Sequence, residues 1–192
     1  MTQGVSVDAS RVELLDVRLD DSGLTQALAQ LADLESSQTC RVILLTVGEA
    51  KPAGSALAEN INRVLRTSKK VSIVVLDGEY SAAGVTVAAG ADLVVASTRT
   101  TLSVDGRSVG FHETWFTDFS LRNLKWLALG AGVLTAPQLM RDGFVNFICV
   151  QSELETTAMK VATNISRVPA DLLTLKKRSH GTRHRLSDAT GR

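Results

Sequence analysis

The chain has 192 residues, 44% hydrophobic and 21% charged, enough to close one hydrophobic core without staples and far from the composition of a disordered polymer. Twenty-one Lys and Arg against twenty Asp and Glu leave a formal net charge of +1, which excludes a broad electrostatic footprint for nucleic acid. Cys40 and Cys149 stand far apart and outside any CxxC pair, so they fit two buried thiols in a reducing compartment better than a disulfide framework or a zinc site.

Residues 11–19, RVELLDVRL, alternate apolar and polar side chains as a half-buried or edge strand does. Asp20, Asp21, Ser22 and Gly23 read as a turn. From Leu24 the apolar positions Leu24, Ala27, Leu28, Leu31, Ala32 and Leu34 recur at three and four, predicting a surface helix that ends near ESSQT. Residues 41–47, RVILLTV, form a continuous apolar strand of the kind covered on both faces. Gly48, Pro52, Gly54 and Ser55 break that run. Helical spacing returns over 56–67 through Ala56, Leu57, Ile61 and Val64. VSIVVL at 71–76 is a second buried strand, closed by Asp77 and Gly78. The stretch SAAGVTVAAG then predicts a helix of small residues packed close to a neighbour, and 92–97 a third short strand. This alternation of strand and helix argues an α/β fold with right-handed crossovers.

In the second half, 101–112 reads as short strands around a turn at Asp105 and Gly106, and 119–129 as a helix carrying Leu121, Leu124, Trp126 and Leu127. Thr135 is positioned to cap a short helix over 136–142, with Pro137 in its first turn and Gly143 at its end. FVNFICV is a late strand, and 152–167 an amphipathic helix opened by a capping box of Ser152 and Glu155. Residues 1–175 read as one domain. Residues 176–192 carry six Lys and Arg against one Asp and read as a basic, disordered tail, either solvated or a contact arm for an anionic partner. The first residues, MTQGVSVDAS, lack a basic start with an apolar run behind it, and no stretch approaches the ~18 apolar residues of a membrane span, so a cytoplasmic location without membrane contact is expected.

Chemistry concentrates in two small-residue loops that follow buried strands, GEAKPAGSA at 48–56 and GEYSAAGVT at 78–86. Small residues there let backbone N–H groups face a ligand and stabilise negative charge developing on a carbonyl oxygen. Neither loop is a phosphate-binding fingerprint. On composition alone, tight helix–sheet packing explains them better.

The run KKVSIVVLDGEYSAAGVTVAAGADLVVAS resembles the central segment of the crotonase family, the enoyl-CoA hydratase/isomerase-like proteins. LALGAGVLTAPQLMRDGFVNFICV and SELETTAMKVATNISRVPADLLTLKK are similar to later segments of the same family, in the same order. The resemblance spans about residues 40–177 and implies a crotonase-like (ClpP/crotonase) spiral of β-β-α units, with a parallel sheet flanked by helices.

It further implies a homotrimer or hexamer that binds an acyl thioester and polarises its carbonyl with two backbone N–H groups, at positions matching Ala53 and Ala83. Coenzyme A or phosphopantetheine enters as part of the substrate, and no tightly bound cofactor or metal is expected. Lys51, Gly54, Tyr80 and Gly84 flank these positions, and Lys51 or Tyr80 would orient the acyl group. The two hydratase glutamates are missing: Thr86 and Gly106 occupy the matching places, with Asp105 one residue before the second. A standard two-glutamate hydratase is excluded on that ground. The remaining proton donors are Asp105, His112 and Glu113, His112 having the unperturbed pKa nearest neutrality. Asp105 also reads as an ordinary turn residue, and His112 as a structural one. The related Clp-type peptidases are disfavoured because Ala82 stands where their serine would fall.

The chain is shorter than the family's usual domain, chiefly in the lid between PAGSAL and KKVSIVV, between 106 and 130, and in the final helices. Two functional readings follow. One is a decarboxylase, isomerase or dehydratase of polyketide or related secondary metabolism that stabilises a thioester enolate. The other is a catalytically inactive homologue serving as an accessory subunit of a partner enzyme.

Overall fold

The computed structural model describes residues 11–48, 55–103, 132–169 and 171–173. In chain order the elements are β1 (Val12–Val17), α1 (Asp21–Ser36), β2 (Val42–Val47), α2 (Ser55–Thr67), β3 (Val71–Leu76), β4 (Glu79–Tyr80), α3 (Ala82–Ala88), β5 (Leu93–Ser97) and β6 (Thr101–Ser103). They continue with β7 (Val133–Thr135), α4 (Ala136–Arg141), β8 (Phe147–Cys149), a 3-10 turn (Gln151–Glu153) and α5 (Leu154–Ser166). The helix expected over 119–129, the turn at Asp105 and Gly106, and the basic tail lie outside the described residues.

The main sheet has the order β1-β2-β3-β5-β8 and every pairing in it is parallel. Parallel neighbours require crossovers, and α1, α2 and α3 supply those between the first four strands. These helices pack on one face against Leu15, Val17, Ile43, Leu45, Val47, Val74 and Leu76. On the other face α5 lays Leu154, Ala158 and Ala162, spaced by four, against Val42, Leu44, Ile73, Val75 and Val95. With both faces covered, every residue of β2 and β3 but Thr46 is buried, which is why VILLTV and VSIVVL read as apolar runs interrupted only by Thr46 and Ser72. The start of β2 also anchors the far end of α5: the Arg41 guanidinium donates to Ser166 O at 3.3 Å and Val168 O at 3.2 Å, satisfying carbonyls that the helix end leaves open. A second, three-stranded sheet runs β4-β6-β7, with β4 parallel and β7 antiparallel to β6.

Three local expectations are corrected. The run Asp20–Gly23 is the start of α1, not a free turn: Asp20 is its N-cap, and its Oδ1 accepts from Gly23 N–H at 2.7 Å. The proposed box of Ser152 and Glu155 does not form, because the chain makes a 3-10 turn over Gln151–Glu153 and α5 begins at Leu154 with no side-chain cap. Cys40 is buried as expected, but Cys149 at the sheet edge is only half-buried. Thr135 does cap α4; Gln138 Oε1 accepts from its N–H at 2.8 Å, and Gly143, at φ +83°, ends the turn beyond the helix.

Candidate active site

The C-terminal end of β3 is where the strand run stops and the small-residue stretch 78–86 begins, and polar side chains from several elements converge on it. Gly78 turns the chain at φ 115°, a conformation that favours glycine. Thr100, fully buried, donates from Oγ1 to Leu76 O at 2.9 Å, and Thr101 N–H donates to Gly78 O at 3.0 Å. Arg99 grips Asp77 with two bonds, Nε to Oδ1 at 2.6 Å and Nη2 to Oδ2 at 2.8 Å. This guanidinium, helped by hydrogen bonds from Ser97 and Gln151, holds the Asp77 carboxyl below the usual carboxylate range despite partial burial. Asp77 is therefore ionised at neutral pH, and its chemistry is structural: it supplies no proton.

Tyr80 closes the same end from inside. It is 1% exposed, and its hydroxyl donates to Val47 O at 2.7 Å and accepts from Asp77 N–H at 2.8 Å. One phenol thus joins the last residue of β2 to the turn that follows β3. The sequence reading gave Tyr80 an acyl group to orient; in the structure its ring lies in the core and its hydroxyl is bonded to the backbone.

After this turn comes α3. Ser81 is its N-cap and makes no side-chain capping bond; Val85 N–H returns to Ser81 O at 3.0 Å. Ala83 and Gly84 lie in the first turn, where helix geometry leaves N–H groups without an intrahelical acceptor. Both are buried, and a Cβ on Gly84 would stand 2.7 Å from Tyr80 Cδ1 and 3.1 Å from Leu19 Cδ1, so only glycine lets the first turn sit against the Tyr80 ring. One turn on, Thr86 is 4% exposed and its hydroxyl donates back to Ala82 O at 2.8 Å. At that position there is neither a carboxyl group nor an available hydroxyl.

The outer side of α3 is fixed by α2. Asn62, 3% exposed, donates from Nδ2 to Thr86 O at 2.7 Å, and Arg66 bonds both Asn62 Oδ1 at 3.2 Å and Ala89 O at 2.8 Å. Asn62, Thr100 and the Asp77–Arg99 pair were not singled out from sequence. Asp77 was read only as the residue closing a strand, and its place before Gly78 at a strand end was the one available signal.

Of the residues expected at the site, the structure brings Tyr80, Ala83 and Gly84 together beyond β3. Lys51, Ala53, Gly54, Asp105, His112 and Glu113 lie outside the described residues. Among the described residues no three of His, Cys, Asp and Glu cluster as metal ligands, and no helix is long and apolar enough to cross a membrane.

No protein-family model and no curated protein matches the sequence. Solved structures do match the fold. A probable enoyl-CoA hydratase from Mycobacterium smegmatis superposes with a TM-score of 0.81 at 17% identity, covering 96% of this chain and 86% of that one. An enoyl-CoA hydratase/isomerase family protein from Silicibacter pomeroyi gives 0.75 at 18% identity, covering 88% of each chain. A methylmalonyl-CoA decarboxylase in complex with 2-nitronate-propionyl-CoA gives 0.81 at 17% identity, covering 98% of this chain and 82% of that one. The fold of this chain is the crotonase fold, as the resemblance of its central segment implied.

Proposed function

We propose that the protein binds an acyl thioester, of coenzyme A or of a carrier protein, and stabilises its enolate with the backbone N–H groups of Ala53 and Ala83. The observation that carries this reading is the fold shared with a methylmalonyl-CoA decarboxylase that holds a nitronate analogue of propionyl-CoA. The location of Ala83 in the first turn after β3, buried and beyond the reach of intrahelical bonding, supports it. Alanine in place of glycine keeps the N–H donor.

With no carboxyl group at Thr86, hydration by a glutamate pair is not the reaction. Decarboxylation, isomerisation or dehydration remain; a decarboxylase in particular needs little beyond a charge-stabilising hole and a proton donor. In this reading carbon–carbon cleavage releases the substrate carboxylate as carbon dioxide and leaves the electron pair on the thioester as an enolate, the two N–H groups hold the oxyanion, and Asp105, His112 or Glu113 gives a proton to carbon. Lys51 and Gly54 would flank the acyl group. Assembly as a homotrimer or hexamer belongs to the same proposal, as does a place in polyketide or related secondary metabolism.

A second reading has its own observation. The Thr86 hydroxyl is tied to Ala82 O inside a buried helix, which favours a homologue that has lost its acid–base chemistry and serves as an accessory subunit of a partner enzyme. Crystals soaked in acetyl-coenzyme A separate the two. A thioester oxygen within about 3 Å of both Ala53 N and Ala83 N is the expected result. A site left empty, or closed by side chains in every subunit, overturns the thioester-enolate reading in its coenzyme A form and leaves the accessory one.

A further inference from the structure

Tyr80 is the one buried aromatic residue among the described residues whose polar atom joins two different strand ends, and its ring and hydroxyl act on different parts of the same site. Its backbone belongs to β4 of the small sheet, where it pairs with Leu102 of β6. Its hydroxyl crosses to the main sheet, donating to Val47 O at the end of β2 and accepting from Asp77 N–H just beyond β3. Its ring packs under the first turn of α3, so closely that any Cβ on Gly84 would meet Cδ1 at 2.7 Å. A phenol is the side chain that does all three: a rigid ring to set a distance, with an oxygen that both donates and accepts.

We propose that Tyr80 is the positioning residue of the oxyanion-binding turn. It acts through other groups: it fixes the height of the α3 first turn, and with it Ala83 N–H, against the ends of β2 and β3. The inference rests on the reading of Ala83 as an oxyanion donor. Its physical basis is that a donor stabilises developing charge to the extent that it is held in place beforehand, so a loosened turn weakens binding of the enolate more than binding of the neutral thioester. The ring alone sets the turn's spacing; the hydroxyl ties that spacing to the sheet. Phenylalanine at this position keeps the first and removes the second.

The test compares wild type with Tyr80→Phe, using two probes by calorimetry: propionyl-CoA as the neutral thioester, and 2-nitronate-propionyl-CoA, whose anionic charge is delocalised as in an enolate. Wild type is expected to bind the nitronate more tightly. Tyr80→Phe removes both hydroxyl bonds, to Val47 O and from Asp77 N–H; the nitronate affinity is expected to fall about tenfold, while propionyl-CoA affinity changes less than about twofold. Hydrogen exchange gives a readout independent of ligand: the Val85 amide, which closes the first turn of α3 onto Ser81 O, loses protection while the amides of α1 and α5 keep it. Equal loss for both probes would mark Tyr80 as merely structural and overturn the proposal, as would unchanged affinity for both. Failure of wild type to bind either probe instead overturns the thioester reading in its coenzyme A form, and this inference with it. If Tyr80→Phe does not fold, Gly84→Ala, which presses on the ring while leaving the hydroxyl in place, is read with the same two probes; it must show the same selective loss, and equal effects on both overturn the proposal.

Discussion

Asp77 is held by Arg99 through two short bonds, yet the pair is not deeply buried: the Asp77 side chain is 25% exposed and that of Arg99 52%. Water screens it, so its contribution to stability is at most about 1 kcal/mol. The direction with pH is nonetheless definite. The folded-state pKa lies below the ordinary value of about 3.9, so between the two the unfolded chain binds more protons and stability rises with pH. The contribution is fully present above the unfolded value and is lost as pH falls through the lowered one. Asp77→Asn is expected to melt below wild type at pH 7, by no more than about 4 °C, with the gap narrowing as pH falls from the unfolded value through the lowered one. Thermal melts of both proteins from pH 7 downward check it; a gap that does not narrow on acidification would show that the carboxylate charge is not what Arg99 recognises. At the same scale Tyr80 and Thr86 show how little side-chain identity alone reveals. From sequence the tyrosine beside the small-residue turn is expected to orient an acyl group, and the threonine at the glutamate-matching position stands out only for lacking a carboxyl group. Both hydroxyls in fact bond the backbone, because buried polar atoms must find partners wherever the fold puts them.

The contact between α2 and α3 determines where the candidate turn sits, and it is built from features that hydrophobic periodicity does not report. Gly90, just past α3, lies against the backbone of α2: a Cβ there would stand 2.6 Å from Asn62 Cα and 2.8 Å from Asn62 O. Backbone cannot rotate away as a side chain can, so Gly90→Ala must push the two helices apart or shift the turn. A loss of about 1–3 kcal/mol is expected in urea unfolding, with the slope unchanged. A neutral result would mean that α2 is free to slide, and that Asn62 is not a fixed brace for Thr86 O. Sequence periodicity located α2 through Ala56, Leu57, Ile61 and Val64 but passed over Asn62, because an apolar pattern treats every polar residue as outward. Elsewhere the same patterning was enough. Strand β3 matches its expected limits, since five apolar residues and one serine between Lys70 and Asp77 have no other way to be buried. The start of α1 was not legible as a helix because Asp20, Asp21 and Ser22 serve equally in turns and caps, and only the Asp20 bond to Gly23 N–H distinguishes the two.

At the scale of the molecule, the crotonase architecture was legible from the order of its segments, whereas the site was legible only in part. Alternating strands and helices place the loops after β2 and β3 at the same end of a parallel sheet, where ligands of such folds bind. Ala83 is singled out through the resemblance, as the position matching one of the family's two backbone donors, and the structure puts it in the first turn of α3. Tyr80 could not be assigned its packing role, since that role depends on contacts between two sheets distant in pairing though close in sequence. What the molecule does with the site is a question of binding free energy, and the whole domain reports it. A ligand that binds only the folded state adds RT ln(1 + [L]/Kd), about 2.7 kcal/mol at a hundred times Kd. For a domain of this size each kcal/mol raises the melting temperature by about 2–4 °C, so a saturating acyl-coenzyme A is expected to raise it by about 5–11 °C. On the proposed reading, coenzyme A without the acyl group offers no carbonyl to Ala83 N–H and should raise it less. If acyl-coenzyme A and free coenzyme A gave equal shifts, the thioester carbonyl would be making no contact of consequence, and the oxyanion role of Ala83 would fall even though the nucleotide bound. If neither shifted the melt at millimolar concentration, the coenzyme would not be a ligand, and the same measurement with an acylated carrier protein would decide between a carrier-tethered substrate and an accessory subunit.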